Sequence, residues 1–132
     1  MSTTGIDHIN ILTNDLEETI VFYEAVLGLT RGESPASAMG IQGAWMLDGD
    51  GHALVHLIGN EPGLSLGEGR APGQSTNSVH HVAFACQGFD DALARIAATD
   101  LPFRVNDGDY GLRQLIITDP NAVSVEMNFQ DD

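Results

Sequence analysis

The chain has 132 residues, of which 42% are hydrophobic, enough for one domain with its own core. It contains five arginines, no lysine and a formal net charge of −14, so most of its surface repels polyanions and nucleic acid is not expected as a partner. No apolar run approaches the roughly 20 residues of a membrane-spanning helix, and residues 1–4 lack the basic and apolar regions of a secretion signal. These features favour a cytoplasmic protein without a membrane partner.

The first elements along the chain are predicted to be a strand and a helix. The strand covers Ile6 to Thr13, and Asn14 and Asp15 then offer side chains that cap the N-terminus of a helix. The helix is expected to end near Leu27, because Gly28 stands where a left-handed residue closes a helix. Its apolar residues recur at helical spacing, so it is expected to cover one face of a sheet.

A hairpin and a linker follow. After a turn region from Gly32 to Gly40, the runs Ala44 to Leu47 and Ala53 to Ile58 flank Asp48-Gly49-Asp50-Gly51, a strong signal for a β-hairpin. Residues 60–78 are rich in Gly, Pro and Ser and show no periodicity, which predicts a linker. The linker divides the chain into modules 1–60 and 78–132.

The second module is predicted to repeat the order of the first. Its elements are a strand from Val79 to Cys86, a helix from Phe89 to Ala98, a short strand near Phe103 to Val105, and a hairpin of Gln114 to Thr118 with Val123 to Phe129. The turn of this hairpin, Asp119-Pro120-Asn121, is rich in turn-forming residues.

The two modules also match residue by residue. Sliding the chain by about 73 positions places His8 on His81 and Ile9 on Val82. Sliding it by about 70 positions places Val55 on Val125 and His56 on Glu126. Each module therefore has one polar residue near its start and one near its end, at matching places.

These four polar residues share one kind of position in their strands. Side chains alternate between the two faces of a strand, so each of the four lies opposite the apolar face that a helix would cover. Imidazoles and a carboxylate that converge there would hold one divalent transition metal, with Zn, Ni, Co, Mn and Fe all compatible. The sequence therefore predicts a metal site with coordination left open for substrate oxygens, made of His8, His56, His81 and Glu126.

His56 also has an alternative role, and three other residues of chemical interest have simpler interpretations. His56 could act as a general base, or support a ligand, instead of binding the metal. His52, beside a turn, and His80, on the strand face opposite His81, are predicted to be structural or exposed. Cys86 is the single cysteine, so it cannot form an internal disulfide, and it is predicted to be a core residue rather than a nucleophile.

Several segments of the chain carry a resemblance to a known family. They are Ile6-Asp7-His8-Ile9-Asn10, Phe22-Tyr23-Glu24-Ala25-Val26-Leu27-Gly28-Leu29, Val79-His80-His81-Val82-Ala83-Phe84, and Asp119-Pro120-Asn121 leading to Val125-Glu126. Along nearly its whole length the chain resembles the vicinal oxygen chelate superfamily. This superfamily contains glyoxalase I, extradiol dioxygenases, methylmalonyl-CoA epimerase, fosfomycin-resistance transferases and bleomycin-binding proteins.

The resemblance implies a fold and a ligand set. The fold is of the α+β class, with tandem βαβββ modules that form a curved mixed sheet. The metal ligands lie on the first, fourth, fifth and eighth strands, at His8, His56, His81 and Glu126. Because one fold hosts many functions, the resemblance leaves the reaction type open.

Three functions are compatible with this ligand set. The leading hypothesis is a metal-dependent lyase or isomerase of glyoxalase type, in which Glu126 or His56 moves a proton next to a carbonyl while the metal holds two neighbouring substrate oxygens. The second is an extradiol-type ring-cleaving dioxygenase with Fe(II) or Mn(II), for which His8, His81 and Glu126 supply two histidines and one glutamate. The third is a metal-free protein that binds a drug or metabolite, as bleomycin-resistance proteins do.

Further residues are candidates for contact with a small-molecule substrate. Tyr110 and Arg113 lead into the seventh strand and could reach the mouth of the cavity, where Arg113 would pair with a ligand carboxylate. The alternative for Arg113 is a structural ion pair. Asn10, on the face of His8, and Trp45 could line the cavity. A homodimer is expected, with the site formed either within one chain or between two.

Overall fold

The computed structural model describes residues 2–34, 40–61, 64, 67, 69–108 and 111–130. Each half of this described chain folds as βαβββ. The first half contains β1 (Ile9–Thr13), α1 (Leu16–Leu27), β2 (Thr30–Glu33), β3 (Gly43–Leu47) and β4 (Ala53–Gly59). The second contains β5 (Val82–Cys86), α2 (Phe89–Ala97), β6 (Phe103–Asp107), β7 (Arg113–Thr118) and β8 (Ser124–Phe129). The predicted α+β class and tandem βαβββ arrangement are confirmed.

Each module forms its own four-stranded mixed sheet, in the orders β1-β4-β3-β2 and β5-β8-β7-β6. The pairs β1 with β4 and β5 with β8 are parallel, and the other neighbours are antiparallel. Ile9 pairs with Val55, and Val82 pairs with Val125. These are the residues that the two sequence shifts superpose, so the internal repeat is confirmed at the level of strand register.

Helix α1 begins and ends where the sequence predicts. The Asp15 carboxylate accepts a hydrogen bond from the backbone N–H of Glu18 and so caps the N-terminus. At the other end Gly28 has φ of 67°, a left-handed conformation that glycine adopts without a steric cost. The last turn has no basic residue of its own. Arg95 from α2 instead donates to the Ala25 and Val26 carbonyls, which places a positive charge at the C-terminal end of α1.

The core lies between the helices and one face of each sheet. In β8, for example, Val125, Met127 and Phe129 are buried against the core, while Glu126 and Asn128 on the other face are partly exposed. The alternation predicted for the strands is therefore observed, and each sheet keeps one face that its helix does not cover. Cys86 packs partly buried against the core, as predicted, and burial raises the pKa of its thiol to about 11. The thiol is therefore protonated at neutral pH.

The strand boundaries differ from the prediction in two respects. Strand β2 is implied by the βαβββ resemblance but was not located from the residues, because its sequence Thr-Arg-Gly-Glu is polar and lies at the exposed edge of its sheet. In addition, β1 and β5 each begin three residues later than predicted, so that His8 and His81 immediately precede their strands. Ile6 and Val79, which occupy equivalent places in the two modules, are consequently 84% and 59% exposed.

The predicted linker, residues 60–78, separates β4 from β5, and residues 62, 63, 65, 66 and 68 of it lie outside the described residues. In the part of the chain that the structure describes, no helix is long and apolar enough to span a membrane. A cytoplasmic location stays a prediction.

A buried polar network joins the two modules. The Tyr23 hydroxyl donates to Asp119 Oδ2 at 2.9 Å, and Asn121 Nδ2 donates to Thr19 Oγ1 at 3.1 Å. Asp119 Oδ1 also accepts from the backbone N–H groups of Asn121 and Val123. Burial raises the pKa of Asp119, and the hydrogen bonds partly offset that effect by stabilising the carboxylate.

Replacing Tyr23 by Phe is expected to lower the free energy of unfolding by about 1–3 kcal/mol at pH 7, because the buried Asp119 carboxylate loses a donor. Without that donor the folded state holds the Asp119 proton more tightly, so the pKa rises further. The loss should therefore shrink as the pH falls through the pKa of Asp119. Urea unfolding of both proteins at several pH values measures this, and an equal loss at every pH would contradict it.

Candidate metal and substrate site

The open face of the first sheet carries an aromatic cluster of three rings. Trp45 pairs with His56 across β3 and β4, and its ring stacks on the imidazole with centroids 4.1 Å apart and planes at 17°. The His8 ring meets Trp45 edge-on at 4.9 Å and lies 6.3 Å from the His56 ring. Asn10 pairs with His56 from β1 and is exposed. The sequence predicted all four of these residues as site residues, and the fold brings them together.

His56 is buried and held by a residue that the sequence did not indicate. Its Nε2 atom shares a hydrogen bond of 2.7 Å with Ser34 Oγ, which is also buried. Burial, followed by the nearby His8, lowers the pKa of His56, so its imidazole is neutral at neutral pH. Ser34 directly follows β2, the strand that the sequence did not predict, and no local pattern distinguishes it from other serines in loops.

His8 is oriented by the residue before it. Its Nδ1–H donates to Asp7 Oδ1 at 2.7 Å, and this hydrogen bond, more than the charge of His8, lowers the pKa of Asp7. A carboxylate on one imidazole nitrogen fixes the tautomer and leaves the lone pair of the other nitrogen, Nε2, available to a ligand. The arrangement is typical of histidines that serve as metal ligands, although Asp7 itself is exposed and the pair is open to solvent.

The open face of the second sheet carries the other predicted pair. His81 Nε2 lies 3.8 Å from Glu126 Oε2. The Nδ1 atom of His81 shares a hydrogen bond of 2.9 Å with His80 Nδ1. His80 is exposed, as predicted, but it occupies the place that Asp7 holds in the first module and contacts the equivalent histidine. In both modules the preceding residue therefore engages Nδ1.

Three amide side chains extend from Glu126 across the second sheet. Asn128 Nδ2 donates to Glu126 Oε2 at 3.2 Å, Gln114 Nε2 donates to Asn128 Oδ1 at 2.9 Å, and Asn106 Nδ2 donates to Gln114 Oε1 at 2.8 Å. None of the three amides was predicted as a site residue. Strand alternation does place Asn128 on the face of Glu126, but the contacts of Gln114 and Asn106 depend on the register between strands.

The candidate metal ligands therefore form two pairs rather than one set of four. His8 lies beside His56 on the first sheet, and His81 lies beside Glu126 on the second. Across the described parts of the chain, no three His, Cys, Asp or Glu side chains are close enough to hold a metal together. The imidazole and carboxylate groups are chemically suited to a transition metal. Each pair alone would supply only part of the coordination sphere of such an ion.

The family of the chain follows from a comparison with known proteins. The model of the Glyoxalase/Bleomycin resistance protein/Dioxygenase superfamily matches residues 5–127. The chain belongs to this superfamily. Among curated proteins it is 24% identical over 128 residues to "Glyoxylase I 4" of Arabidopsis thaliana, covering 94% of this chain and 70% of that protein.

Solved structures of superfamily members have the same fold. A glyoxalase/dioxygenase from Nostoc punctiforme matches with a TM-score of 0.73 and 24% identity, covering 97% of this chain and 92% of that chain. The fosfomycin resistance protein FosX from Listeria monocytogenes, complexed with Mn(II) and sulfate, matches with a TM-score of 0.66 and 16% identity, covering 96% and 93%. At these identities the structural likeness shows the fold alone.

The remaining candidates for substrate contact in this superfamily member lie elsewhere. Arg113 Nε donates to Asp107 Oδ1 at 3.0 Å, and its guanidinium lies 3.6 Å above the Phe89 ring of α2. Arg113 therefore lies on the helix side of β7, whereas Gln114 lies on the open face, because neighbouring strand residues point to opposite faces. This placement favours the structural ion pair over a role in substrate binding. Tyr110 lies outside the described residues.

The stacking of Trp45 on His56 provides a test of the first cluster, since Trp45 is the single tryptophan of the chain. Protonation of a stacked imidazole quenches indole fluorescence, so emission should fall in acid with a midpoint below 6.5, the usual histidine pKa. Replacing His56 by Gln should abolish the step. Replacing His8 by Gln should move the midpoint upward, because His8 lowers the pKa of His56. The exposed His52 is the control, and a step that depends on His52 would contradict the geometry.

Proposed function

We propose that this superfamily member is a metal-dependent enzyme that acts on a small molecule by lyase or isomerase chemistry at a carbon next to a carbonyl. The observation that carries the proposal is the His81–Glu126 pair, with its nitrogen and oxygen 3.8 Å apart on an open sheet face. His8 stands at the equivalent place in the other module with its Nδ1 already engaged. A structural role alone would not require histidines at both equivalent positions.

The proposed ligands of the metal are His8, His81 and Glu126, with His56 as a fourth candidate. These donors suit Zn, Ni, Co, Mn and Fe, and one such ion per site is proposed. When bound, the metal would polarise two neighbouring oxygens of the substrate as a Lewis acid. Asn10 and Trp45, which lie beside the histidines of the first sheet, are proposed to contact the substrate.

Proton transfer is assigned to Glu126 or His56. Because its pKa is lowered, His56 is neutral near pH 7 and can accept a proton. The hydrogen bond to Ser34 and the stacked Trp45 fix the position of its ring. A base that is fixed in this way does not need to be reoriented before each proton transfer.

A homodimer is proposed as the state that completes the site. The two ligand pairs are not close together within one chain, so a second chain would have to bring His8 of one molecule to His81 and Glu126 of the other. Strands β1 and β5 are both sheet edges, and the exposed Ile6 and Val79 precede them. Open strand edges with apolar residues are surfaces that proteins normally cover. A cleft of about 580 Å³ lies beside β1 and is lined partly by Val79 and Val82 of the second module.

A ring-cleaving dioxygenase is the second candidate, and a contact of His56 favours it. Since Ser34 occupies Nε2 of His56, the donors that remain are two histidines and one glutamate. This set is the one that non-haem Fe(II) oxygenases use. The identity of the bound metal separates the two candidates.

Elemental analysis of protein purified without chelator or metal-affinity tag tests the metal site. We expect about one ion per chain, lost on replacing both His8 and Glu126 by Ala and retained on replacing His52 by Ala. Zn, Ni or Co would support lyase or isomerase chemistry, and Fe or Mn would support the dioxygenase. A chain that takes up no metal even on titration would overturn the proposal in favour of a binding protein.

Mixing of two inactive variants tests whether the site is shared between chains. His8→Ala and Glu126→Ala are each expected to bind no metal tightly. After unfolding and refolding together, a mixed dimer would contain one site with both residues intact and one site with neither. We therefore expect metal binding to return at about one ion per mixed dimer. Failure to recover binding, with each variant dimeric, would show that the ligands come from a single chain.

A further inference from the structure

The hydrogen bonds of the three amide side chains beside Glu126, here called the amide chain, all run in one direction. Asn106 donates to Gln114, Gln114 donates to Asn128, and Asn128 donates to Glu126. The three residues lie on β6, β7 and β8, so the chain of hydrogen bonds crosses the open face of the second sheet from its far edge to the carboxylate. Each amide therefore points its NH₂ group toward the Glu126 end of the network.

The charge of the Glu126 carboxylate explains why the hydrogen bonds of the amide chain run in this direction. An ionised carboxylate only accepts hydrogen bonds, so Asn128 must turn its NH₂ group toward Glu126. Its carbonyl oxygen then faces Gln114, which must donate to it, and the carbonyl of Gln114 in turn faces Asn106. The single charge at one end thus sets the orientation of three amides.

The fold itself does not require the hydrogen bonds of the amide chain. The amides lie on a partly exposed face, where water could satisfy them, rather than in the core. In the first sheet the cross-strand pair equivalent to Gln114 and Asn128 is Gly43 and Ile58, which have no side-chain amide. The βαβββ module therefore forms without an amide chain in the first half, and the amide chain lies in the module that contains Glu126.

We propose that Asn106, Gln114 and Asn128 are positioning residues that hold Oε2 of Glu126 and so fix the carboxylate for metal binding. This inference rests on the proposed function, because it assigns the three amides a role at the proposed metal site. Groups that orient a metal ligand typically change metal affinity when they are removed, without touching the metal themselves. The direction of the chain gives the proposal a consequence that a purely structural role does not have.

The decisive variant is Asn106→Asp, at the end of the chain remote from Glu126. An aspartate at position 106 only accepts hydrogen bonds, so Gln114 and Asn128 would lie between two carboxylates. Two amides cannot supply donors to all three contacts, so at one contact an oxygen would have to face another oxygen. The hold on Glu126 would weaken. Simple electrostatics predicts the opposite result, because an added negative charge attracts a cation. Thr118→Asp is the matched control, since it adds the same charge to the open face of β7 outside the chain.

Metal affinity is measured by titration of the metal-free dimer with Zn²⁺ or Mn²⁺. We expect Asn128→Leu to weaken binding by about tenfold or more, Asn106→Asp to weaken it by a smaller factor, and Thr118→Asp to leave it equal or tighter. Equal or tighter binding in Asn106→Asp would overturn the inference, while metal binding that still depends on His8 and Glu126 would leave the proposed function intact.

The side-chain amide resonances of metal-free protein give a second, independent measurement. Asn106→Asp should shift the ¹⁵N and ¹H signals of the Asn128 side chain, whereas Thr118→Asp should leave them in place. If wild-type protein binds no metal, the proposed function fails and the positioning role fails with it. If metal binds but the Asn128 signals do not respond to Asn106→Asp, the orientation of Asn128 does not depend on Asn106. In that case only this inference is lost.

Discussion

The parallel pairing of the first and last strand in each module is the constraint on which the site depends. It places a residue before β1 beside one in β4, and a residue before β5 beside one in β8, on the face that the helix leaves open. His8 therefore meets His56, and His81 meets Glu126, without any special loop geometry. Because the register is the same in both sheets, one arrangement of backbone hydrogen bonds generates both pairs.

The sequence contained enough information for the fold and for the pairing of the candidate ligands, because both depend on periodicity. The repeat and the alternation of faces match His8 with His81 and His56 with Glu126, and capping residues predict the limits of α1. Strand β2 was missed because its composition is polar and it lies at an edge, where little apolar surface is buried. Ser34, which follows that strand, was missed with it.

Contacts across strands could not be predicted in the same way. Arg113 and Gln114 are neighbours in sequence, and the phase of β7 decides which of them shares the face of Glu126. Only the register shows that Gln114 does, and that Arg113 pairs with Asp107. The orientation of an amide is also invisible in sequence, because it is set by whichever acceptor or donor the neighbouring strand presents.

The two modules have used their equivalent positions differently. In the first, a neutral imidazole is buried against an indole ring, which makes an apolar surface with one basic nitrogen. In the second, the Glu126 carboxylate accepts a hydrogen bond from Asn128 on a partly exposed face, which makes a surface suited to a cation. Arg31, Arg95 and Arg113 are engaged in structural contacts, with Glu17, the end of α1 and Asp107 respectively. Arg104 lies on the open face of the second sheet, because it pairs with Ile116, which in turn pairs with Glu126. A bound metal would therefore add to the positive charge that this face offers a substrate oxygen. The formal net charge of −14 would favour binding of that metal and would oppose the approach of an anionic substrate before the metal is bound.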